Sequence, residues 1–185
     1  MLRLRAVIAW ALVIVGVLGL VFAQSESRTV TVLSLEGAVT PTSANYLKRE
    51  IANADIRGDE LVMIEIDTPG GLVNSMQTIV QTILAAETPV VTYVAPQGAR
   101  SASAGLYIMY AAHVSAMAPA TNTGSATPVG GGSPFSGDEE SAEGEDISNQ
   151  ASMRGKVIED AVAYIRGLAQ LRGRNGDWAE KAVRP

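Results

Sequence analysis

Apolar residues follow two alternating spacings along this chain of 185 residues. Short runs rich in β-branched residues are typical of strands, whereas an apolar residue at every third or fourth position is typical of helices. The predicted strands lie at 28–39, 61–66, 89–94 and 114–117, and the predicted helices begin near 41, 73, 103, 154 and 177. Because strands and helices alternate, the pattern predicts an α/β fold with a mainly parallel sheet.

The first two helices have clear apolar faces. The first is predicted to begin at Pro41 and to end at Gly58, since proline suits the first helical turn and glycine the end of a helix. The residues predicted to face inward are Leu47, Ile51 and Ala54 in this helix, and Val73, Met76, Val80 and Ile83 in the next. The strands at 61–66 and 89–94 are almost wholly apolar, which predicts that both of their faces are covered.

The first 24 residues differ in composition from the rest. Residues 6–23 carry no charge, and Arg3 and Arg5 precede them. This apolar length is close to the minimum that spans a bilayer as a helix, and the small residue at its end also suits signal cleavage. We therefore predict a signal peptide or a membrane anchor at 1–24. Either alternative places the remaining chain on the extracytoplasmic side of a membrane.

Residues 25–185 are predicted to form one domain with an interruption at 130–150. This stretch begins with glycine and serine and then carries six acidic residues between positions 138 and 146. Such a composition buries too little apolar surface to order itself, so we predict a flexible acidic loop there.

The composition excludes several classes of site. The chain has no cysteine and a single histidine, which excludes a thiol nucleophile, a disulfide and a multi-histidine metal site. We expect neither a metal nor another cofactor. The formal net charge is −5 and no basic stripe is present, so we do not expect a nucleic acid as a partner.

A glycine pair follows the second predicted strand, in the sequence DTPGG at 67–71. Glycines at a strand-to-helix turn leave backbone N–H groups uncovered, and Gly70 and Gly71 could therefore stabilise an oxyanion. The alternative interpretation is a tight turn without a chemical role.

A second candidate is Ser103, which is followed by Ala104 and Gly105 at the start of a predicted helix. A serine at a helix N-terminus lies at the positive end of the helix dipole, and small neighbours allow a substrate backbone to approach. The alternative is that Ser101 and Ser103 are simple helix caps.

Lys156 and His113 are the candidate bases for such a serine. A lysine amine that is partly removed from water has a lowered pKa and can accept a proton, although most helical lysines are solvated. His113 lies ten residues after Ser103, about 15 Å along a helix at 1.5 Å per residue. We therefore interpret His113 as a structural or exposed histidine.

The candidate motifs occur in a distinctive order. They are DTPGG, SASAGLYI around Ser103, AMAPATNTGSATPV from position 116 and RGKVIEDAVAYIRGLAQLRGRN from position 154. From about residue 28 to its end, the chain resembles the NfeD-type membrane-bound serine proteases of the ClpP and signal-peptide-peptidase-A class, which are similar to crotonases in fold. Members of that family continue with further secondary structure, so a domain truncated at its C-terminus is one interpretation of residues 25–185.

This resemblance implies repeated ββα units and a serine endopeptidase with a Ser–Lys dyad. Ser103 matches the family's nucleophile and Lys156 its base, and Gly70, Gly71 and the Ala104 amide match its oxyanion hole. The resemblance also implies an acyl-enzyme, apolar protein or peptide segments as substrates, a stomatin-like membrane protein as a partner and a homo-oligomer.

Two other functions stay open from the sequence. A non-catalytic membrane scaffold of the same fold would bind proteins without cleaving them. A crotonase-like acyl-CoA enzyme would use the same oxyanion hole on a thioester, although an extracytoplasmic location argues against it.

Overall fold

The computed structural model describes residues 29–128 and 147–185, with side chains described from 151 in the second part. The predicted signal or anchor at 1–24 and most of the predicted loop at 130–150 lie outside these residues. No helix within the described residues combines the length and apolar character needed to cross a bilayer.

The described elements alternate as the hydrophobic pattern predicts. The strands are β1 (Val30–Glu36), β2 (Leu61–Asp67), β3 (Val90–Val94), β4 (Arg100–Ala102), β5 (Val114–Met117) and β6 (Asn122–Gly124). The helices are α1 (Pro41–Arg57), α2 (Val73–Ala85), α3 (Ala104–Ala111), α4 (Ile147–Leu171) and α5 (Gly176–Val183). Two strands, β4 and β6, were not predicted, because three residues are too few to show a period.

The main sheet has four strands in the order β1–β2–β3–β5, and every neighbouring pair is parallel. This confirms the prediction of an α/β fold with a mainly parallel sheet. In a parallel sheet all strands end at the same edge, so the loops after β1, β2, β3 and β5 meet there.

Burial alternates along the strands, which shows that the described helices cover one face of the sheet. In β2, Val62, Ile64 and Ile66 are fully buried, whereas Glu65 between them is exposed. The prediction that both faces are covered is therefore wrong for β2, and in β3 the second face is only half-buried, at Val91 and Tyr93. Val73 was predicted to face inward but is exposed, because it stands in the first turn of α2, beyond the edge of the core.

Helix α1 begins and ends as predicted. Thr40 and Ser43 form a capping box before and within the first turn, and Pro41 occupies the first helical position. Gly58 ends the helix in the left-handed conformation, with φ of 70°, which glycine adopts without strain.

A second sheet of two strands lies at the edge where the strands of the main sheet end. β4 and β6 pair in parallel, Thr68 pairs with Ser101, and Val39 pairs with Gly71. Each of these segments follows a strand of the main sheet, so backbone hydrogen bonds connect the loops to one another.

Helix α4 has two different halves. It begins at Ile147, inside the predicted loop, since a helix that has formed extends at little cost. Residues 151–156 are all exposed, and buried side chains start at Val162. The second half packs on α3, where the rings of Tyr107 and Tyr164 stack with centroids 5.8 Å apart.

The chain after α4 holds the far end of α3. Arg172 donates from Nε to the carbonyl of Ala111 at 2.8 Å, and Arg174 donates to the carbonyls of Met109 and Ala112. Cationic side chains at the last carbonyls of a helix offset its negative end. The C-terminal end of α3 is thus fixed by the same segment that ends α4.

Candidate active site

The candidate site lies at the edge of the sheet where β2 and β3 end. β2 runs into the turn at 67–71, and β3 continues through β4 to Ser103. The two segments are joined because the Thr68 amide donates to the Arg100 carbonyl at 2.7 Å and the Ala102 amide donates to the Thr68 carbonyl at 3.1 Å. Backbone pairing therefore brings two motifs together that are about 30 residues apart in sequence.

Ser103 has an unusual backbone conformation. Its φ is 53° and its ψ is −116°, a combination that a residue with a side chain rarely adopts. A serine at a sharp, strained strand-to-helix turn presents its hydroxyl at the top of the turn, as in the nucleophile elbow of hydrolases. Two features maintain this strained conformation. The Ser103 amide donates to the Gly124 carbonyl in β6 at 3.0 Å, and all of α3 is buried.

The Ser103 side chain stands directly against Gly70. A methyl group at Gly70 would lie 2.5 Å from Cβ and 3.0 Å from Oγ of Ser103, so no larger residue fits there. Gly70 also has φ of 109°, which only glycine adopts without strain.

The Gly70 amide is already paired, because its N–H donates to Oγ1 of Thr68 at 3.1 Å. Its carbonyl accepts from the Val39 amide at 2.8 Å. Of the predicted oxyanion-hole residues, Gly70 therefore permits the close approach of Ser103, whereas its own N–H is not available in this structure.

Gly71 and Ala104 carry amides that are available. Within residues 29–128 and 147–185, neither N–H donates a hydrogen bond to another residue. Gly71 is exposed at the turn, and Ala104 is the first residue of α3, where the helix leaves amides unpaired. Two free backbone donors beside one serine are what the tetrahedral intermediate of acyl transfer requires.

The alternative interpretation of the serines as helix caps is wrong. The Ser103 hydroxyl makes no capping hydrogen bond to α3. The Ser101 hydroxyl is completely buried and has no hydrogen-bond partner among the described residues. It lies against α3, since a methyl group at Gly105 would come within 2.5 Å of its Oγ.

Lys156 is not brought to Ser103 in this structure. It is exposed in the first half of α4, and its amine has no hydrogen-bond or ion-pair partner in the described part of the chain. The expected partial removal of this amine from water is not observed, because residues 151–156 extend beyond the core. The role of Lys156 thus stays a prediction.

Two other titratable side chains, in α3 and just after it, have shifted pKa values. The His113 ring accepts a hydrogen bond at Nδ1 from the Val90 amide at 3.0 Å, and burial and the positive charge of Arg172 lower its pKa. His113 follows the far end of α3, which supports the interpretation as a structural histidine. Burial raises the pKa of the Tyr107 phenol far above its usual range.

The sequence interpretation missed Thr68 as part of the site. It is completely buried, and its hydroxyl bonds both to the Gly70 amide and to the Gly37 carbonyl. The signal available in the sequence was its position directly before Pro69 and the glycine pair. Among the described residues, no group of three or more histidine, aspartate or glutamate side chains could hold a metal ion.

Comparison with known proteins identifies the family of this chain. Residues 29–177 match the family model of the NfeD1b N-terminal domain. The membrane-bound protease PH1510 of Pyrococcus horikoshii is 33% identical over an alignment 181 residues long, which covers 92% of this chain and 37% of that protein. The membrane protein NfeD1b of Bacillus subtilis is 36% identical over 109 residues, which are 59% of this chain and 24% of that protein.

Several solved structures are also similar to this chain. A structure of the 1510-N membrane-bound stomatin-specific protease with a serine replaced by alanine has a TM-score of 0.72 at 34% identity, over 86% of this chain and 71% of that one. A lysine-to-alanine mutant of that protease in complex with a substrate peptide has a TM-score of 0.71 at 34% identity, over 86% and 67%. ClpP1 from Listeria monocytogenes, at 19% identity and a TM-score of 0.59 over 83% and 79%, shares the fold alone.

The chain spans about a third or less of the length of the two full-length relatives. The matched region nevertheless contains the candidate site, from the turn after β2 to the second half of α4. Since the family model covers most of the described residues, the chain belongs to the NfeD1b N-terminal domain family.

Proposed function

We propose that this chain is the catalytic part of a membrane-associated serine endopeptidase in which Ser103 is the nucleophile. The observation that carries the proposal is the strained turn at Ser103, whose hydroxyl makes no capping hydrogen bond and whose side chain lies against Gly70 of the glycine turn. The similarity to a membrane-bound protease over most of the chain supports the same reaction class.

In the proposed reaction, Ser103 Oγ attacks the carbonyl carbon of a peptide bond and its proton passes to a neutral amine. The amides of Gly71 and Ala104 hold the negative oxygen of the tetrahedral intermediate, and one such donor is typically worth about 3 kcal/mol. The carbon–nitrogen bond then breaks, and the protonated amine returns the proton to the leaving amine. Water hydrolyses the resulting ester by the same route and restores the Ser103 hydroxyl.

Lys156 is the proposed proton acceptor. For this role its Nζ must come within about 2.6–3.2 Å of Ser103 Oγ, and catalytic contacts are often open before substrate binds. Support comes from its place in the matched region, residues 29–177, and from the bond that the Val90 amide donates to Nδ1 of His113, the other candidate base. Because Lys156 is exposed in the free chain, its amine must be shielded from water by bound substrate or by another subunit.

The further parts of the proposal concern substrate, partner and location. We propose apolar segments of membrane-associated proteins as substrates, with a stomatin-like protein as a partner, because one solved relative is described as stomatin-specific. Residues 1–24 act as a signal or anchor, 25–185 form the protease domain on the extracytoplasmic side, and the domain forms a homo-oligomer.

The proposal is tested with an internally quenched peptide that contains a central run of apolar residues. Ser103→Ala and Lys156→Ala are each expected to abolish cleavage, because either change removes one partner of the proton transfer. Matched controls are Lys48→Ala and Lys181→Ala, which remove exposed lysines on α1 and α5.

A fluorophosphonate probe separates the two roles. It is expected to label the wild-type chain and not Ser103→Ala. If Lys156→Ala cleaves as fast as the wild type, Lys156 is not the base. If the wild-type chain is neither labelled nor active, the non-catalytic scaffold replaces the protease as the function.

A further inference from the structure

Thr68 connects the glycine turn at 67–71 to the segment that carries Ser103. Its backbone amide and carbonyl bond to Arg100 and Ala102 in β4, the strand that leads into Ser103. Its side chain points instead into the glycine turn of its own segment. Thr68 is completely buried, so each of these contacts is shielded from water.

The Thr68 hydroxyl is placed to fix the Gly70 amide. It donates to the Gly37 carbonyl at 2.6 Å, which is closer than the Gly70 carbonyl at 3.3 Å. With its proton used in this way, the oxygen accepts from the Gly70 N–H at 3.1 Å. A hydroxyl has one proton and two lone pairs, so both bonds form at once.

These bonds determine the direction of the neighbouring amide. Gly70 is held at its N–H by Thr68 and at its carbonyl by the Val39 amide. In a planar trans peptide the N–H points opposite to the carbonyl of the same unit. Because the Gly70 carbonyl points to Val39, the Gly71 N–H is directed away from Val39.

The methyl group of Thr68 touches α3, the helix that follows Ser103. A methyl group at Gly105 would lie 2.8 Å from Cγ2 of Thr68, so Thr68 packs against the first turn of α3. One side chain thus contacts the turn that carries the Gly71 amide and the helix that carries the Ala104 amide.

We propose that Thr68 is a positioning residue whose hydroxyl aligns the Gly71 N–H with the Ala104 N–H for oxyanion binding. This inference rests on the proposed function, since it assigns a role in that reaction. Thr68 does not touch the reacting atoms and acts through the Gly70–Gly71 peptide.

The test compares two replacements that each remove one part of the side chain. Thr68→Val keeps the branched shape and loses the hydroxyl, whereas Thr68→Ser keeps the hydroxyl and loses the methyl group. With the quenched apolar peptide, Thr68→Val is expected to lower kcat about 100-fold, as for small misalignments in active sites. KM stays unchanged, and Thr68→Ser keeps a kcat close to that of the wild type.

A matched control separates alignment from stability. Thr92 is also completely buried, and its hydroxyl bonds to Ser115 at 2.8 Å, within the main sheet. Thr92→Val is expected to lower the melting temperature as much as Thr68→Val does, with kcat unchanged. Equal kcat values for these two variants, or a rise in KM in place of a fall in kcat, would overturn the inference.

If Thr68→Val does not fold, Thr68→Ala and Thr68→Ser replace it, because they differ only in the hydroxyl. Equal fluorophosphonate labelling rates in these two variants would then reject the role of the hydroxyl. A wild-type chain that the probe does not label would refute the proposed function and this inference together. A labelled wild type with an unaffected Thr68→Val variant refutes the inference alone.

Discussion

The two halves of the candidate site are built in different ways. The half that contains Ser103 consists of tight turns joined by backbone hydrogen bonds, with Gly70 in contact with the serine side chain. The half that contains Lys156 is the first part of α4, where six consecutive residues are exposed. The proposed nucleophile is therefore held in place by its surroundings, and the proposed base is not.

The difference has a simple physical origin. Backbone bonds between neighbouring strand ends fix a turn without help from distant residues, and the buried α3 prevents Ser103 from relaxing. A helix that extends beyond the core has only its own hydrogen bonds, which are marginal in water without tertiary packing. The proposed oxyanion donors therefore lie in tightly bonded turns, whereas the proposed base lies on a part of α4 that does not pack on the core.

The largest effect is expected within α4 itself, where the two halves can be compared directly. Ile165 is completely buried, and Met153 is 53% exposed. Ile165→Ala should lower the free energy of unfolding by about 2–5 kcal/mol, because it leaves a cavity in the core. Met153→Ala should change it by no more than about 0.5 kcal/mol, as usual for surface sites.

Urea unfolding followed by circular dichroism measures both variants of α4. A loss for Met153→Ala as large as that for Ile165→Ala would show that the first half is packed in solution. The conclusion that the Lys156 region is less firmly held than the Ser103 region would then be wrong.

The next effect concerns the contact between Gly70 and Ser103. Gly70→Ala places a methyl group 2.5 Å from the serine Cβ, so Ser103 must move. Labelling by the fluorophosphonate is expected to fall about 100-fold, since misplacement by about 1 Å has this effect on positioned groups. The measurement is the rate of labelling in gel fluorescence.

Gly58→Ala is the matched control for Gly70→Ala. Gly58 also has a positive φ of 70°, but nothing lies within 4 Å of an added methyl group there. We expect a loss of about 1–2 kcal/mol of stability from the left-handed conformation and an unchanged labelling rate. If both variants lose labelling equally, the effect of Gly70→Ala is one of stability and not of contact.

The smallest effect is expected at the fixed end of α3, through the protonation of His113. Burial and the charge of Arg172 lower the pKa of this histidine. The unfolded chain takes up the proton near pH 6.5, whereas the folded chain does so only at lower pH. Stability from this group is therefore complete above about pH 6.5 and decreases as the pH falls toward the folded pKa.

Urea unfolding at about pH 7.5 and about pH 5.5, on either side of the free histidine pKa, measures this dependence. The wild type should lose more stability between the two values than His113→Asn, because asparagine does not titrate. Paired carboxylates such as Glu159 and Glu180 also have lowered pKa values, and they contribute equally in both proteins. Identical pH profiles would show that His113 has the same pKa in both states.

Much of the fold could be predicted from the sequence because its signals are local. The capping residues of α1, the apolar spacing of the helices and the β-branched runs determine each element from its own residues. The strand at Val114–Met117 was predicted with the observed bounds. The candidates Ser103, Gly70 and Gly71 were also found locally, since each lies at the end of a predicted strand or the start of a helix.

The features that depend on pairing between distant segments were decided by the tertiary structure alone. β4 and β6 exist because two three-residue segments, some 20 residues apart, bond to each other, and no local pattern encodes such a pairing. Pairing between distant segments also holds the strained Ser103, whose amide donates to the Gly124 carbonyl. It likewise joins the Gly70 carbonyl to the Val39 amide, and the Gly71 amide of the same turn stays free. The exposure of Lys156 likewise depends on where the core ends along α4, and a helical period contains no information about that distance.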